Sequence, residues 1–232
     1  MAFEESTRNL SLQRPLASYI DHTLLSPLAT EAGIEGLCRE ALQHQFRAVC
    51  VNGCHLEAAR QIVKGSGVSL AAVVGFPLGA NATEAKACEA ETCLLGGADE
   101  LDVVLNLGWL KAGNLKAVAS ELRLLREIAP DAVLKLILET CFLEDAEKRT
   151  ACRLALDAGW DFVKTSTGFG KGGATLADVR LMKEAVGERM QVKASGGIRD
   201  LDAALAFIAA GADRLGTSSG LALVEAYKNN TP

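Results

Sequence analysis

Two lysines, Lys164 and Lys193, each end a short apolar run and are followed at once by small polar residues and glycine. A lysine that closes a buried strand is rarely there for packing, because its ammonium group is costly to remove from water. Burial beside a second cation lowers the pKa of such a lysine and favours the neutral amine, which is a nucleophile. Two lysines placed in this way indicate chemistry through a Schiff base.

Charged residues of two earlier runs add to this pattern. In a strand, side chains two residues apart lie on the same face. Asp102 therefore shares a face with Asn106 on one predicted strand, and Lys135 shares a face with Glu139 on the next. We therefore expect Asp102 and Glu139 to share a small interior with the lysines. Apolar residues often replace a buried ion pair without loss of stability, so this density of charge favours catalysis over a purely structural ion-pair layer.

Glycine and serine clusters follow the last two apolar runs, at residues 195–199 and 216–220. Glycines let backbone N–H groups approach phosphate oxygens, and hydroxyls and a helix start add further donors. Tight turns would explain either cluster alone, whereas the two together favour a phosphate site.

A third glycine-rich segment, residues 168–173, matches the dinucleotide pattern G-x-G-x-x-G. A dinucleotide site would place an acidic residue at the end of the next strand, and that strand ends at Lys193 and Ala194 instead. The segment is therefore predicted to be a flexible loop at the edge of the site, rich in backbone N–H groups. No cofactor is expected.

No metal is expected either. His22, His44 and His55 lack the spacing of a catalytic zinc site, and Cys50 and Cys54 form a single C-x3-C without a second half.

Composition narrows the class of protein. The chain has 232 residues, with 24 Lys plus Arg and 29 Asp plus Glu, for a net charge of −5. The charges are scattered, which argues against nucleic acid as a partner. Seven cysteines, an odd number, read as reduced thiols. With neither a leader nor a membrane span in the pattern, the expected location is the cytoplasm.

The elements that must position these residues repeat along the chain. Helix-like segments end in glycine and a short apolar strand follows, which predicts a parallel α/β sheet. Eight strands are predicted, at residues 18–21, 48–51, 70–75, 101–106, 134–139, 162–165, 191–194 and 214–216.

Eight strands close a barrel, so we predict one (β/α)8 TIM barrel over residues 1–232, with an open doubly wound sheet as the alternative. Helix starts are predicted at Thr30, Thr83 and Thr175. A loosely held arm at residues 1–14 and a short tail at 228–232 complete the expectation.

Five motifs together resemble deoxyribose-phosphate aldolase, over residues 19 to about 220. They are YIDHTLL from Tyr19, ELDVVLN from Glu100, KLILET from Lys135, KTSTGFG from Lys164 and KASGGI from Lys193. The combination of the last two motifs at successive strands is specific, whereas no single motif is decisive.

The resemblance implies a metal-free class I aldolase of deoxyribonucleotide catabolism, which interconverts 2-deoxy-D-ribose 5-phosphate with D-glyceraldehyde 3-phosphate and acetaldehyde. It implies that Lys164 forms the Schiff base, that the charge of Lys193 keeps the neighbouring amine unprotonated, and that Asp102 relays protons. It also implies a pocket lined by Thr23, Cys50 and Lys135 and phosphate contacts from Gly168, Gly197, Ser218 and Ser219. Gly196, next to Gly197, is also expected to bind substrate.

Two other functions remain open on the sequence. One is another class I aldolase or a transaldolase on the same barrel, and the other is a barrel that binds a phosphorylated metabolite without turnover. The sequence also leaves open a homo-oligomer, a contact of Lys171 with phosphate, and the position of Tyr227 relative to the pocket.

Overall fold

The computed structural model describes residues 12–230. Eight parallel strands close into a barrel in which each strand pairs with the next and the last pairs with the first. The strands are β1 (Ile20–Leu24), β2 (Ala48–Val51), β3 (Ser69–Val74), β4 (Glu100–Val104), β5 (Val133–Ile137), β6 (Phe162–Lys164), β7 (Gln191–Ser195) and β8 (Arg214–Thr217). The predicted (β/α)8 barrel is confirmed, with strand ends shifted by up to three residues.

Helices cover the outside of the barrel in the described part of the chain. They are α1 (Glu31–His44), α2 (Leu56–Val63), α3 (Thr83–Leu95), α4 (Leu107–Lys111), α5 (Leu115–Ile128), α6 (Asp145–Asp157), α7 (Leu176–Val186), α8 (Leu201–Ala209) and α9 (Gly220–Asn230). Short 3-10 turns lie at Leu16–Tyr19, Gly53–His55, Thr140–Phe142 and Gly187–Arg189.

The alternation along β4 shows how the strands divide their side chains. Leu101 and Val103 belong to the hydrophobic core shared with the helices. Glu100 and Asp102 face the other way and are fully buried inside the barrel. The apolar layer between strands and helices therefore leaves the barrel interior free for polar groups.

Two of the three predicted helix starts are confirmed. The hydroxyl of Thr30 accepts the N–H of Gly33 at 3.3 Å, and that of Thr175 accepts the N–H of Asp178 at 3.0 Å. The predicted cap at Thr83 is wrong, because α3 begins at Thr83 itself and the preceding Ala82 occupies the cap position. The Thr83 hydroxyl instead donates to Glu121 at 2.9 Å.

Residues 1–11 of the predicted arm and residues 231 and 232 of the predicted tail lie outside the described residues. Within the described part, Arg14 donates to the backbone carbonyl of Asp213, and its guanidinium lies 4.0 Å from the centre of the Tyr19 ring. At the other end, residues 228–230 belong to α9. Among the described helices, none is both long and apolar enough to cross a membrane.

Candidate active site

Seven charged side chains from six strands form one layer inside the barrel, and each residue is at most 5% exposed. This charged layer consists of Asp21, Glu100, Asp102, Lys135, Lys164, Lys193 and Arg214. Strand register brings them together, since Asp102 lies beside Lys135 on the neighbouring strand and Lys164 lies beside Lys193. Four cations face three carboxylates, so nearly all of the buried charge is compensated.

Asp102 is the centre of this layer. Its Oδ1 accepts from Lys135 Nζ at 2.8 Å, and its Oδ2 accepts from both Lys164 Nζ and Lys193 Nζ, each at 2.8 Å. Burial alone would raise the pKa of Asp102, but the three lysines outweigh burial and lower that pKa well below its usual range. One ionised carboxylate oxygen therefore holds the two lysine nitrogens next to each other.

Lys193 is a fixed cation. Its Nζ lies 2.5 Å from Asp21 Oδ2 and 2.8 Å from Asp102 Oδ2. Burial favours the neutral amine, but the two carboxylates outweigh it and raise the pKa of Lys193 above its usual range. The structure thus places a permanent positive charge beside Lys164.

Lys164 differs from the rest of the layer in what it faces. Asp102 is its one carboxylate partner within 4 Å among the described residues. It is also the one member of the charged layer that lines a cavity of about 460 Å³ at the carboxyl ends of the strands. A substrate in this cavity can therefore reach the amine of Lys164 before any other group of the layer.

A second set of contacts in the charged layer joins Arg214, Glu100, Asp21 and Lys135, and the sequence predicted only part of it. Arg214 donates to Glu100 at 2.7 Å and to Asp21 at 3.3 Å, and Lys135 Nζ lies 2.5 Å from Glu100 Oε2. Sequence reasoning missed Glu100 and Arg214 as members of this layer. The alternation that put Asp102 inside the barrel applies equally to Glu100, two residues earlier, and would have found it.

The expectation for Glu139 is wrong. Strand β5 ends at Ile137, and Glu139 has a left-handed backbone with φ 51°, so the alternation no longer applies there. Its carboxylate accepts the N–H of Thr167 at 3.2 Å and also the Thr167 hydroxyl. Glu139 therefore contacts the loop after β6 and does not join Asp102.

The predicted substrate residues divide into two groups. Five line the cavity together with Lys164: Thr23, Gly168, Gly196, Gly197 and Ser218. The other three do not line it. Cys50 and Lys135 are fully buried, and the N–H of Ser219 donates to the hydroxyl of Thr217 at 2.9 Å.

Two further positions were left open by the sequence. The ammonium of Lys171 lies 5.2 Å from the centre of the Phe142 ring, and Lys171 is not among the residues that line the cavity. Tyr227 lines a separate cavity beside His44, where α1 ends, on the side of the barrel where the strands begin.

Arg199 lies within the predicted cluster at residues 195–199, but sequence reasoning did not single out its charge. This exposed arginine lines the cavity together with Gly197 and Ser218. It is the last residue of that cluster, so a cation at the end of a predicted phosphate turn was the available signal. Together with backbone N–H groups it gives this side of the cavity the character of an anion site.

His22, one of the three histidines considered as metal ligands, instead contacts a carboxylate. His22 is buried on β1 and its Nε2 lies 2.6 Å from Glu40 Oε2. Residues 12–230 contain no group of three or more His, Cys, Asp or Glu side chains arranged to hold a metal ion.

This arrangement can do a specific kind of chemistry. The amine of Lys164 opens to a cavity. Behind it, the carboxylate of Asp102 and the ammonium of Lys193 lie within hydrogen-bond distance of each other, and glycine-rich segments and Arg199 line the same cavity. Such a set can form an imine with a carbonyl compound, hold its anionic end, and move protons at the carbon next to the imine.

Comparison with known proteins agrees with this geometry. Residues 16–226 match the model of the DeoC/LacD family aldolases. The chain is 52% identical to a deoxyribose-phosphate aldolase of Deinococcus radiodurans, over 92% of this chain and 97% of that protein. It is 50% identical to one from Brevibacillus brevis, over 90% and 95% of the two chains.

A solved structure is similar as well. The deoxyribose phosphate aldolase from Aeropyrum pernix, described as a unique tetramer, superposes with a TM-score of 0.87 at 37% identity, and the match covers 97% of each chain.

Proposed function

Because the chain belongs to the DeoC/LacD family of aldolases, we propose that it reversibly cleaves 2-deoxy-D-ribose 5-phosphate to D-glyceraldehyde 3-phosphate and acetaldehyde through a Schiff base on Lys164. It is a carbon–carbon lyase. The observation that carries the mechanism is that Lys164, alone in the charged layer, opens to the cavity while Lys193 and Asp102 lie behind it.

The chemistry starts at the aldehyde carbon of the open-chain sugar. The Lys164 amine adds to C1, water leaves, and a positively charged imine forms. This imine draws in the electron pair of the C2–C3 bond when the C3 hydroxyl loses its proton, so glyceraldehyde 3-phosphate departs and an enamine remains. Protonation of the enamine at C2 and hydrolysis then release acetaldehyde and restore the amine.

Asp102 and Lys193 serve the proton steps of this sequence. When the imine on Lys164 becomes an enamine, one positive charge beside Asp102 is lost. The Asp102 carboxylate is then best able to accept a proton through a bound water. Lys193 holds its charge throughout, because Asp21 and Asp102 both pair with it, and so keeps a positive charge beside the Lys164 amine. Such acid–base assistance typically contributes about 10² to 10⁴-fold in rate.

The anionic end of the substrate would lie against the opposite wall. Gly168, Gly196, Gly197 and Ser218 line that wall, and Arg199 adds a cation. Gly168, Gly196 and Gly197 have positive φ values of 84°, 90° and 83°, a backbone that side chains other than glycine rarely adopt. The wall thus presents main-chain groups to a phosphate with little steric cover.

Borohydride trapping tests this function. Reduction in the presence of acetaldehyde should add the mass of an ethyl group to the peptide that contains Lys164, and the Lys164→Met variant should show neither the adduct nor turnover. Lys148, which pairs with Asp178 at 2.6 Å on the outside of the barrel, offers the matched control Lys148→Met. Binding of deoxyribose phosphate without any adduct would favour the metabolite-binding barrel instead.

The compartment and the assembly are part of the same proposal. All seven cysteines are free thiols, which suits a reducing compartment such as the cytoplasm. A homo-oligomer is proposed by analogy with the Aeropyrum relative, which is described as a tetramer. Sedimentation equilibrium of the purified protein would reveal a single monomeric species if that analogy fails.

A further inference from the structure

Glu139 is a buried carboxylate close to the cavity that the steps above do not use. The residue is 3% exposed, and it is one of two non-glycine residues with positive φ in the described part of the chain. The other, Gln45, ends helix α1, where a left-handed residue is an ordinary cap. Glu139 instead follows a strand, and its unfavourable backbone persists only because the surroundings fix it.

The surroundings of Glu139 are the loop after β6. Its Oε2 accepts both the N–H and the hydroxyl of Thr167. A Cβ at Gly170 would lie 3.1 Å from the Glu139 carboxyl carbon, so a glycine there lets the loop lie directly on the carboxylate. Hydrogen bonds to an ionised acceptor are the strong ones, and residues 167–170 are therefore anchored to Glu139.

The same loop has a second anchor across the mouth of the cavity. The ring of Phe169 lies edge-on to that of Phe76, with centroids 5.3 Å apart, and Phe169 lines the cavity. Phe76 belongs to the loop between β3 and α3. Glu139 thus holds the polar side of residues 167–170 while Phe76 packs against the apolar side.

These contacts decide what the Thr167 hydroxyl can offer a ligand. A hydroxyl has one proton to donate and two lone pairs to accept with. The proton goes to Glu139, and one lone pair accepts the N–H of Phe169 at 3.0 Å. Thr167 lines the cavity, and its remaining lone pair can only accept.

We propose that Glu139 is a positioning residue for the aldol cleavage, which anchors residues 167–170 and fixes the Thr167 oxygen as an acceptor for a hydroxyl of the sugar between the imine carbon and the phosphate. This inference rests on the proposed function. Because the loop also carries Gly168, Glu139 sets the distance between the Lys164 amine and the phosphate wall. Acetaldehyde has neither a hydroxyl nor a phosphate, so its reaction with Lys164 does not need this loop.

The test compares two substrates in one variant. Glu139→Asn keeps a residue that tolerates the left-handed backbone but shortens the side chain, so the contact with Thr167 is lost. We expect kcat/KM for deoxyribose phosphate to fall about 10- to 100-fold, the range of one hydrogen bond to a charged group. The borohydride adduct of acetaldehyde on Lys164 should form at the parental rate. Gln45→Asn, at the other left-handed residue, is the matched control and should leave both measurements unchanged.

A double-mutant cycle with Thr167→Val completes the test. If Glu139 acts through Thr167, the losses in kcat/KM from Glu139→Asn and Thr167→Val are not additive. Additive losses, an unchanged kcat/KM, or an acetaldehyde adduct that slows as much as sugar turnover would overturn the inference. Should Glu139→Asn not fold, Glu139→Gln keeps the length without the charge and serves in the same cycle. A parent protein that forms no adduct and releases no acetaldehyde would overturn the proposed function, and this inference with it.

Discussion

At the scale of single residues, the two lysines that pair in register on adjacent strands, Lys164 at the end of β6 and Lys193 in the middle of β7, have unequal surroundings. Lys164 has one carboxylate partner and opens to the cavity, whereas Lys193 has two carboxylate partners and is fully buried. A nucleophile must reach its substrate, and a cation that tunes a neighbour must keep its proton. These contacts support the proposal in which Lys164 is the nucleophile and Lys193 supplies the neighbouring charge.

Lys193→Leu tests this division. Without the neighbouring cation, Asp102 alone faces Lys164 and stabilises its ammonium form, so the acidic limb of the pH–rate profile should move to higher pH. At neutral pH, we expect kcat to fall about 10² to 10⁴-fold, since the proton shuttle is weakened as well. The measurement is kcat against pH, with circular dichroism as a check on folding.

Lys193→Arg is the matched variant because it keeps the charge between Asp21 and Asp102. It should leave the acidic limb of the profile close to that of the parent, even if its bulk lowers kcat. An acidic limb that is the same in the Leu variant as in the parent would rule out the tuning role of Lys193.

At the scale of elements, strands β4 to β7 place their side chains by register, and the loop after each strand decides what lies at the mouth. Lys86 on α3 shows how the helices support this. Its Nζ donates to Glu121 on α5 at 2.7 Å and to the backbone carbonyl of Val104, the last residue of β4, at 2.9 Å. Lys86 therefore ties two helices to the end of the strand that carries Asp102.

Lys86→Met should be strongly destabilising, because it leaves the carboxylate of Glu121 buried and unpaired. Loss of one partner of such a pair costs about 3 to 5 kcal/mol in the free energy of unfolding. The double variant Lys86→Met with Glu121→Leu removes both charges and should recover most of that loss. Urea unfolding of the parent, of Lys86→Met and of the double variant measures these changes, and a double variant no more stable than Lys86→Met would contradict the assignment.

At the scale of the whole molecule, closure of the barrel completes the charged layer. Strand β8 pairs with β1, which brings Arg214 to Asp21, and Asp21 in turn lies 2.5 Å from Lys193 on β7. An open sheet would leave β1 and β8 at opposite edges, and Asp21 would lose both cations. Balance of buried charge thus depends on the closed architecture rather than on any neighbouring pair.

The same layer predicts how stability depends on pH. Burial would raise the pKa of Asp21, Glu100 and Asp102, but the surrounding cations outweigh it and lower all three. A carboxyl whose pKa is lower in the folded state stabilises the protein above its unfolded pKa, about 4, and that stability is lost as the pH falls further. We therefore expect the free energy of unfolding to be steady from pH 7 to about 5 and to fall steeply below about pH 4.

Urea unfolding at a series of pH values measures this dependence. Asp102→Asn removes the central carboxyl of the layer and should flatten the acidic fall, although it lowers stability at pH 7. A free energy of unfolding that stays constant down to pH 3 in the parent would mean that the layer does not carry the acid sensitivity.

The sequence by itself determined the strands, the barrel and the placement of Lys164 and Lys193 on adjacent strands, although β7 continues to Ser195, two residues beyond Lys193. These follow from local patterns: alternation with a period of two, glycine at helix ends, and motifs a few residues long. The same patterns could not reveal Arg214 as a partner of Asp21, which lies 193 residues earlier in the chain, or the left-handed turn that sends Glu139 to Thr167. Only the tertiary structure decided those contacts, because partners inside a closed barrel depend on which strands meet when the sheet closes and on where each strand stops being extended.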